Sequence, residues 1–415
     1  MKECTVIRLL LAALKSGTNM LGVTALGCVL ATVGTLQAQS SDVAPAADRA
    51  AGPSGQPANA APAALLPISQ GPLPAPQGPP VPIFDPMVKP ASGCSGCGMA
   101  PYNGYGPSNN TCVPGRKQCH GIDTSSVCGR LFGGLCEELC CPDPCYEPRW
   151  IPEANAAFFQ DSPRPVTQTR IRWDAGFHYR FPDTSEFFWA EINRKGPRIL
   201  TRALRYDDLT FYQEIAAKGA SFFIEIPYRT FEPDIGPGGS GFGDMNVGGK
   251  TVLFDSELLL LTLQFRTFIP TGNFTAGVGT GHASLEPSLM AAIKLWPTTY
   301  FQTELSEWIP LAGTPGFASS VFHFHFSLNH NLCHWGDCLN IVGVMEFNGY
   351  TYRGAFTDFE SGAVVGASGG TFANAGPGIR AQLCDRIDFG VAADFGFGNR
   401  HGPGQIYRTE MRVRY

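Results

Sequence analysis

The segment "VFHFHFSLN", Val321 to Asn329, carries the residue types best suited to chemistry: His323, His325, Ser327 and Asn329, each two apart. Alternate side chains of an extended strand share a face, so two imidazoles, a hydroxyl and an amide would project together. The two imidazoles, joined by His178 or His282 from elsewhere in the chain, suit a metal or ligand site. The serine suits nucleophilic catalysis if a neighbouring base is itself oriented by a third group. The simpler reading is a row of polar side chains lining water. On that reading the expectation is no catalytic residue, no metal and no cofactor.

Cysteine is the second chemical feature. Nine cysteines fall between Cys94 and Cys145, a stretch with few large apolar residues. This pattern suits a disulfide-stapled module in an oxidising compartment. "CSGC" at Cys94–Cys97 is a C-x2-C, but a second one is missing and only His120 is nearby, which argues against zinc. Gly98 stands where haem attachment needs histidine. Later in the chain, Cys333 and Cys338 flank "HWGD" and are expected to close a short local disulfide. Cys384 is then left as partner for the ninth cysteine of the module. The third feature is charge. Arginines and acids recur singly along the second half of the chain, and no basic cluster marks a nucleic-acid footprint at a net charge of −5.

These residues need elements to position them. Of 415 residues only 16% are charged, while Gly (49) and Phe (29) are abundant, a composition that suits a β-rich, turn-rich chain. Residues 1–38 read as an export signal: Lys2, Arg8 and Lys15 precede the apolar run from Met20 to Leu36, and the small residue Ala38 follows. Residues 39–92 are dominated by Ala, Pro, Gly and Gln and read as a disordered linker. Residues 93–146 are the Cys-rich module, and residues 160–415 the main domain.

In that domain the period-2 pattern repeats about a dozen times in segments of roughly 9–14 residues. In "RIRWDAGFHYRF", Ile171, Trp173, Phe177, Tyr179 and Phe181 oppose Arg172, Asp174, His178 and Arg180. Phe322, Phe324, Phe326 and Leu328 oppose the His323–Asn329 row, and Ile387, Phe389, Val391 and Phe395 oppose Asp388 and Asp394. A soluble sandwich alternates too. Strands this long, with aromatics near their ends, better fit strands that cross a bilayer, which need about 9–11 tilted residues. The predicted fold is therefore all-β: a transmembrane antiparallel barrel of about 12 strands. Alternation assigns the interior to Arg172, His178, Arg180, Glu225, Arg229, Lys250, Gln264, Arg266, Glu286, Glu304, His323, His325, Arg380, Asp394, Arg408, Arg412 and Arg414.

The final segment "YRTEMRVRY" places Tyr407, Met411, Val413 and Tyr415 on one face and the arginines on the other. It resembles the C-terminal assembly signal of bacterial outer-membrane barrels. That likeness implies the barrel assembly machinery and outer-membrane lipid as partners, and a cell outer-membrane location. "GFGDMNVGGK" (Gly241 to Lys250), "FIPTGN" (Phe268 to Asn273) and "GVGTGHASLEPSL" (Gly277 to Leu289) are similar to the outer-membrane channel family of the phenol-degradation "MetA pathway". The resemblance implies a channel for small solutes, hydrophobic and aromatic ones included. It carries turn glycines and prolines rather than reactive groups. Two other readings stand beside it. One is a non-conducting structural envelope protein anchored by the barrel. The other is a barrel phospholipase, because such lipases resemble this chain in an H-x-S pair with Asn, here His325, Ser327 and Asn329. Against the lipase, the Phe322/Phe324/Phe326 face claims the lipid, and the expectation is a non-enzyme.

Overall fold

The computed structural model describes residues 150–217, 219–335, 338–367, 370–398 and 402–415. The expectations for residues 1–38, 39–92 and 93–146 lie outside the described residues. The strands, in chain order, are β1 (Gln168–Arg180), β2 (Ala203–Ala217), β3 (Ala220–Pro233), β4 (Gly239–Phe242), β5 (Met245–Asp255), β6 (Leu259–Ile269), β7 (Ser284–Trp296) and β8 (Thr299–Pro310). They continue with β9 (Val321–Trp335), β10 (Leu339–Tyr352), β11 (Ala355–Thr357), β12 (Val364–Gly366), β13 (Gly370–Leu383), β14 (Ile387–Gly398) and β15 (Gln405–Arg414).

Each wall strand pairs antiparallel with its neighbours, and β1 pairs with both β2 and β15, so the sheet closes on itself. β4 and β5 occupy one position along β3, interrupted at Gly243 and Asp244. The result is the closed 12-strand barrel that the alternation predicts. β11 and β12 form a small hairpin apart from the wall. One end of the barrel carries short turns, as between β5 and β6, β7 and β8, or β13 and β14, together with the start of β1 and the end of β15. The other end carries the long connections 181–202, 270–283 and, among the described residues, 353–367.

The outer face is apolar all round: Ile171, Phe211, Phe222, Leu263, Leu289, Leu328, Phe389 and Met411 are all exposed. Water would not tolerate such a belt, whereas hydrocarbon requires both it and the absence of a free strand edge. Facing inward are the polar partners of the same alternation.

One register shift overturns part of that alternation. The β1–β2 ladder slips between Gly176 and Tyr179, and His178 lies at φ 56°. Such a bulge inserts a residue and reverses the parity beyond it. Tyr179 therefore turns inward and is buried, while His178 and Arg180 are exposed on the outside rather than in the lumen.

The disulfide expectation is also corrected. Cys338 bonds Cys384, not Cys333. The register explains it: Leu339 faces Leu383 across β10–β13, so the next residues outward, Cys338 and Cys384, face each other with Cα atoms 4.1 Å apart. Cys333 faces Ile341 within the β9–β10 hairpin, away from Cys338. Cys333 is itself disulfide-bonded.

Candidate functional site

The interior is occupied from both ends. Residues 150–166 enter from the short-turn end before β1 begins. Their small side chains, Ala154, Ala156 and Ala157, let the backbone pass close to the wall, and the wall binds that backbone directly. Arg380 donates from Nε to Ala156 O (3.0 Å) and from Nη2 to Ala157 O (3.2 Å). Arg412 donates to Asn155 O (2.7 Å) and Ala157 O (3.0 Å). Glu410 accepts from both arginines at 2.8 and 2.6 Å, which holds two like charges side by side. Glu346 accepts from Phe158 N and Phe159 N at 3.1 Å. Glu304 accepts from Asp161 N at 2.7 Å, and Gln302 donates to Asp161 O at 3.0 Å.

Phe158 anchors the segment. Its ring lies where Cβ atoms at Gly378 and Gly390 would come within 2.5 and 2.6 Å, so only glycine leaves it room. Ala156, Val342, Val344 and Ala392 complete this apolar cluster. The tip, Asp161, receives Gln264 Nε2 (3.0 Å) and pairs with Arg266 and Arg170.

From the other end, the connection 181–202 folds inward. Phe188, Trp189 and Ile192 pack on Tyr179, Leu204, Tyr206 and Phe231. Several of its buried polar groups have partners, though Trp189 Nε1 and Glu191 Oε2 have none among the described residues. Glu186 accepts from Thr314 N (3.0 Å), Thr314 Oγ1 (2.8 Å) and Glu191 N (3.0 Å), with His282 Nδ1 3.6 Å away. Burial pulls the His282 imidazole below its ordinary value, against the upward pull of Glu186. Asp183 accepts from Thr357 N (3.3 Å) and Ile192 N (3.4 Å), and burial pushes its carboxyl up to about 6. Phe181, Ser185, Glu186 and Asn193 all have positive φ, between 51° and 62°. Non-glycine residues in that region are uncommon, so the packing of this segment holds its backbone where local preference would not.

Between the two inserts lies a cavity of about 320 Å³. Phe159 and Asp161 line it from the lower insert, and Phe187 and Phe188 from the upper one. Its wall combines ion pairs with aromatic rings. Arg229 is bidentate to Asp208 (both 2.8 Å) and stacks 3.6 Å over Phe188. Arg408 is bidentate to Asp174 (both 2.6 Å) and lies 4.2 Å over Phe159. Trp308, Tyr350 and Tyr352 add ring surface, and His323 and His325 stand among them, 4.9 and 5.5 Å from Tyr350.

Of the interior residues assigned from sequence, Arg172, Glu225, Arg229, Arg266, Glu286, Glu304, His323, His325 and Arg408 line this cavity. Lys250, Gln264, Arg380, Asp394, Arg412 and Arg414 face inward away from it. Lys250 pairs with Glu214 (3.3 Å), Asn348 donates to Asp394 (2.8 Å), and Arg414 pairs with Asp388 while lying 3.7 Å over Trp150. Tyr407, Met411, Val413 and Tyr415 lie on the outer face, Tyr415 73% exposed. The sequence reading missed Phe158, Phe159 and Asp161, because an irregular segment gives no periodicity. It also missed Trp308 and Tyr350, although the alternation of β8 and β10 could have placed both inward.

The lipase geometry is not assembled. His325 Nδ1 pairs with Asn348 Oδ1 (2.8 Å), Asn329 donates to Gln302 (3.2 Å), and Ser327 Oγ has no hydrogen-bond partner. All three residues face the interior, away from any lipid substrate. Among the described residues no group of three His, Cys, Asp or Glu is arranged to hold a metal.

No family model and no curated protein matches the chain. Among solved structures it is similar to the COG4313 outer membrane channel from Pseudomonas putida F1, at 8% identity and a TM-score of 0.41, over 60% of this chain and 96% of that one. It is also similar to the KdgM porin (8% identity, TM-score 0.34, 60% of this chain and 99% of that one). LpxR from Salmonella typhimurium is a further match, at 6% identity and a TM-score of 0.35, over 60% of this chain and 100% of the other.

Proposed function

We propose that this chain is an exported outer-membrane β-barrel that passes small solutes and is held shut at rest by its two inserts. The apolar belt and the closed barrel support membrane insertion, with the short-turn end facing the periplasm and the long connections outside. Lipid and the barrel assembly machinery are the partners this placement requires. The resemblance of residues 241–289 to the "MetA pathway" channels supports transport of hydrophobic and aromatic solutes. The aromatic rings around the cavity fit such solutes.

One observation carries the channel reading: the cavity inside the barrel, lined by ion pairs and aromatic rings, with the lower insert held to the wall chiefly by hydrogen bonds and ion pairs. A purely structural barrel has no need of such a cavity, because apolar packing fills an interior at lower cost than desolvated charge. Closures made of polar contacts can also exchange with water when the insert leaves. The second reading, a non-conducting envelope protein, is favoured by the inserts that occupy the barrel from both ends.

Planar-bilayer recording separates the two. The full chain is expected to conduct in brief openings, and a chain lacking residues 150–161 to conduct steadily. If neither passes current while both migrate as folded, heat-modifiable barrels, the channel reading fails and the structural one stands.

A further inference from the structure

We infer that the mid-lumen cavity is a binding site for a small organic cation, a primary ammonium attached to an aromatic or apolar body, rather than for an anion. The inference deepens the channel reading and rests on it only for why a solute should be there.

The first support is a charge imbalance. Seven carboxylates line the cavity against four guanidiniums. The guanidiniums are all committed: Arg229 to Asp208, Arg408 to Asp174, Arg172 to Glu225 and Asp174, Arg266 to Asp161 and Glu286. Arg170, from outside the cavity, reaches Asp161 and Glu225 and still leaves acids in excess. Asp244 and Glu304 are the two that form no ion pair among the described residues. Asp244 is occupied by donors from Gly272 N, Thr280 N and Thr280 Oγ1, whereas Glu304 is buried and accepts from the Asp161 amide, which makes it the surplus group.

The second support is independent of charge. Four side chains on the cavity wall, each more than nine-tenths buried, present polar atoms without partners among the described residues: Gln160 Oε1 and Nε2, Asn246 Oδ1, Ser284 Oγ and His323 Nε2. All four can accept, and Gln160 Nε2 adds one donor. Asn246 uses its amide nitrogen on Glu225 (3.3 Å). His323 turns Nδ1 to the Glu286 carboxylate (2.9 Å), so Nδ1 donates there, and in the neutral imidazole Nε2 keeps its lone pair. Arg172 Nε and Arg266 Nε are donors without a hydrogen-bond partner, but each guanidinium already faces two carboxylates. Unpartnered acceptors beside an unpaired carboxylate call for a donor-rich cation, and an ammonium supplies three N–H groups. The rings of Trp308 and Tyr350 supply faces for the cation or its apolar body. A cavity of about 320 Å³ is at the small end of ligand pockets, which suits a ligand of single-ring size.

The test is equilibrium dialysis of the full chain in detergent micelles against phenethylamine, phenethyl alcohol and phenylacetate. The amine is expected to bind about tenfold or more tighter than the alcohol, with the acid weakest. Glu304→Gln should remove most of the amine's advantage while leaving alcohol binding near wild type. Because Glu304 also holds the Asp161 amide, Tyr350→Leu serves as a second variant. It should weaken the amine while heat-modifiable mobility stays that of a folded barrel. Equal binding of amine and alcohol, preference for the acid, or no binding of any of the three overturns the proposal. Amine binding in a barrel that never conducts leaves the site standing and sinks the channel reading instead.

Discussion

Replacing Glu346 by alanine should loosen the lower insert without unfolding the barrel. The Glu346 side chain is buried, and both of its oxygens bind the backbone of the insert, at Phe158 N and Phe159 N, each 3.1 Å away. Alanine leaves two buried amide donors without acceptors. Each such donor costs about 1–3 kcal/mol, so the docked state should lose about 2–6 kcal/mol. At about 1.4 kcal/mol per factor of ten, the population with the insert undocked rises by about 30-fold to about 10⁴-fold. The lower figure applies if water reaches the vacated space. The wall ladders are untouched, because Glu346 pairs through its backbone with Gly376 and Ser327 whatever its side chain. The assay is hydrogen–deuterium exchange by mass spectrometry on peptides covering 155–162, in detergent, alongside peptides from β7 and β8. Exchange governed by local opening scales with the opening constant. The insert should therefore speed up by the factor above while the wall strands do not change. Glu346→Gln keeps one acceptor oxygen and should fall between. Unchanged exchange in Glu346→Ala would falsify the view that polar contacts to the wall hold the insert.

Four further predictions concern other parts of the molecule. The Asp183 carboxyl is raised to about 6 by burial, so docking of the 181–202 connection favours its protonated form. That stability is fully present below about pH 4 and lost as pH rises through about 6, roughly 3 kcal/mol in all. Acrylamide quenching of the buried Trp189 should increase over that range, and Asp183→Asn should flatten the curve. The Cys338–Cys384 bridge spans 46 residues and should contribute about 4 kcal/mol in the chain-entropy picture. Non-reducing peptide mapping should recover this pair and no Cys333–Cys338 species, and Cys384→Ser should lower the denaturant midpoint. Tyr415 donates its amide to Thr167 O (3.1 Å) and shares a 2.9 Å hydroxyl contact with Thr169, so it pins the seam where the last strand meets the first. Its deletion should reduce folded barrel on heat-modifiable gels while surviving molecules conduct normally. Arg414→Ala should act on stability rather than ion selectivity, costing about 3–5 kcal/mol, because it strands the buried Asp388 and touches no cavity surface.

The fold was legible because a barrel in hydrocarbon writes a two-residue period into every wall strand. Residues such as Phe222 and Glu225, or Met411 and Arg412, must face opposite solvents, and no neighbour can change that while the strand stays regular. Period therefore gave about a dozen strands and the inward side of Glu286, His323 and Arg412, and closure followed because hydrocarbon tolerates no free strand edge. Where regularity breaks, period gives the wrong answer. The bulge after Gly176 sends His178 and Arg180 outside, because one inserted residue reverses every face beyond it.

Three matters were decided by the tertiary structure. Which cysteines meet depends on which strand lies beside β10, and β13 rather than β9 brings its turn cysteine opposite Cys338. Whether interior charges line water or bind something depends on what enters the barrel. Arg380, Arg412 and Glu346 find the backbone of residues 155–159, and backbone amides look alike in any sequence. Finally, the cavity exists only because the tip at Asp161 and the rings of Phe187 and Phe188 stop short of one another. That gap is set by how far two irregular segments reach along the same axis, a distance that side-chain alternation does not encode.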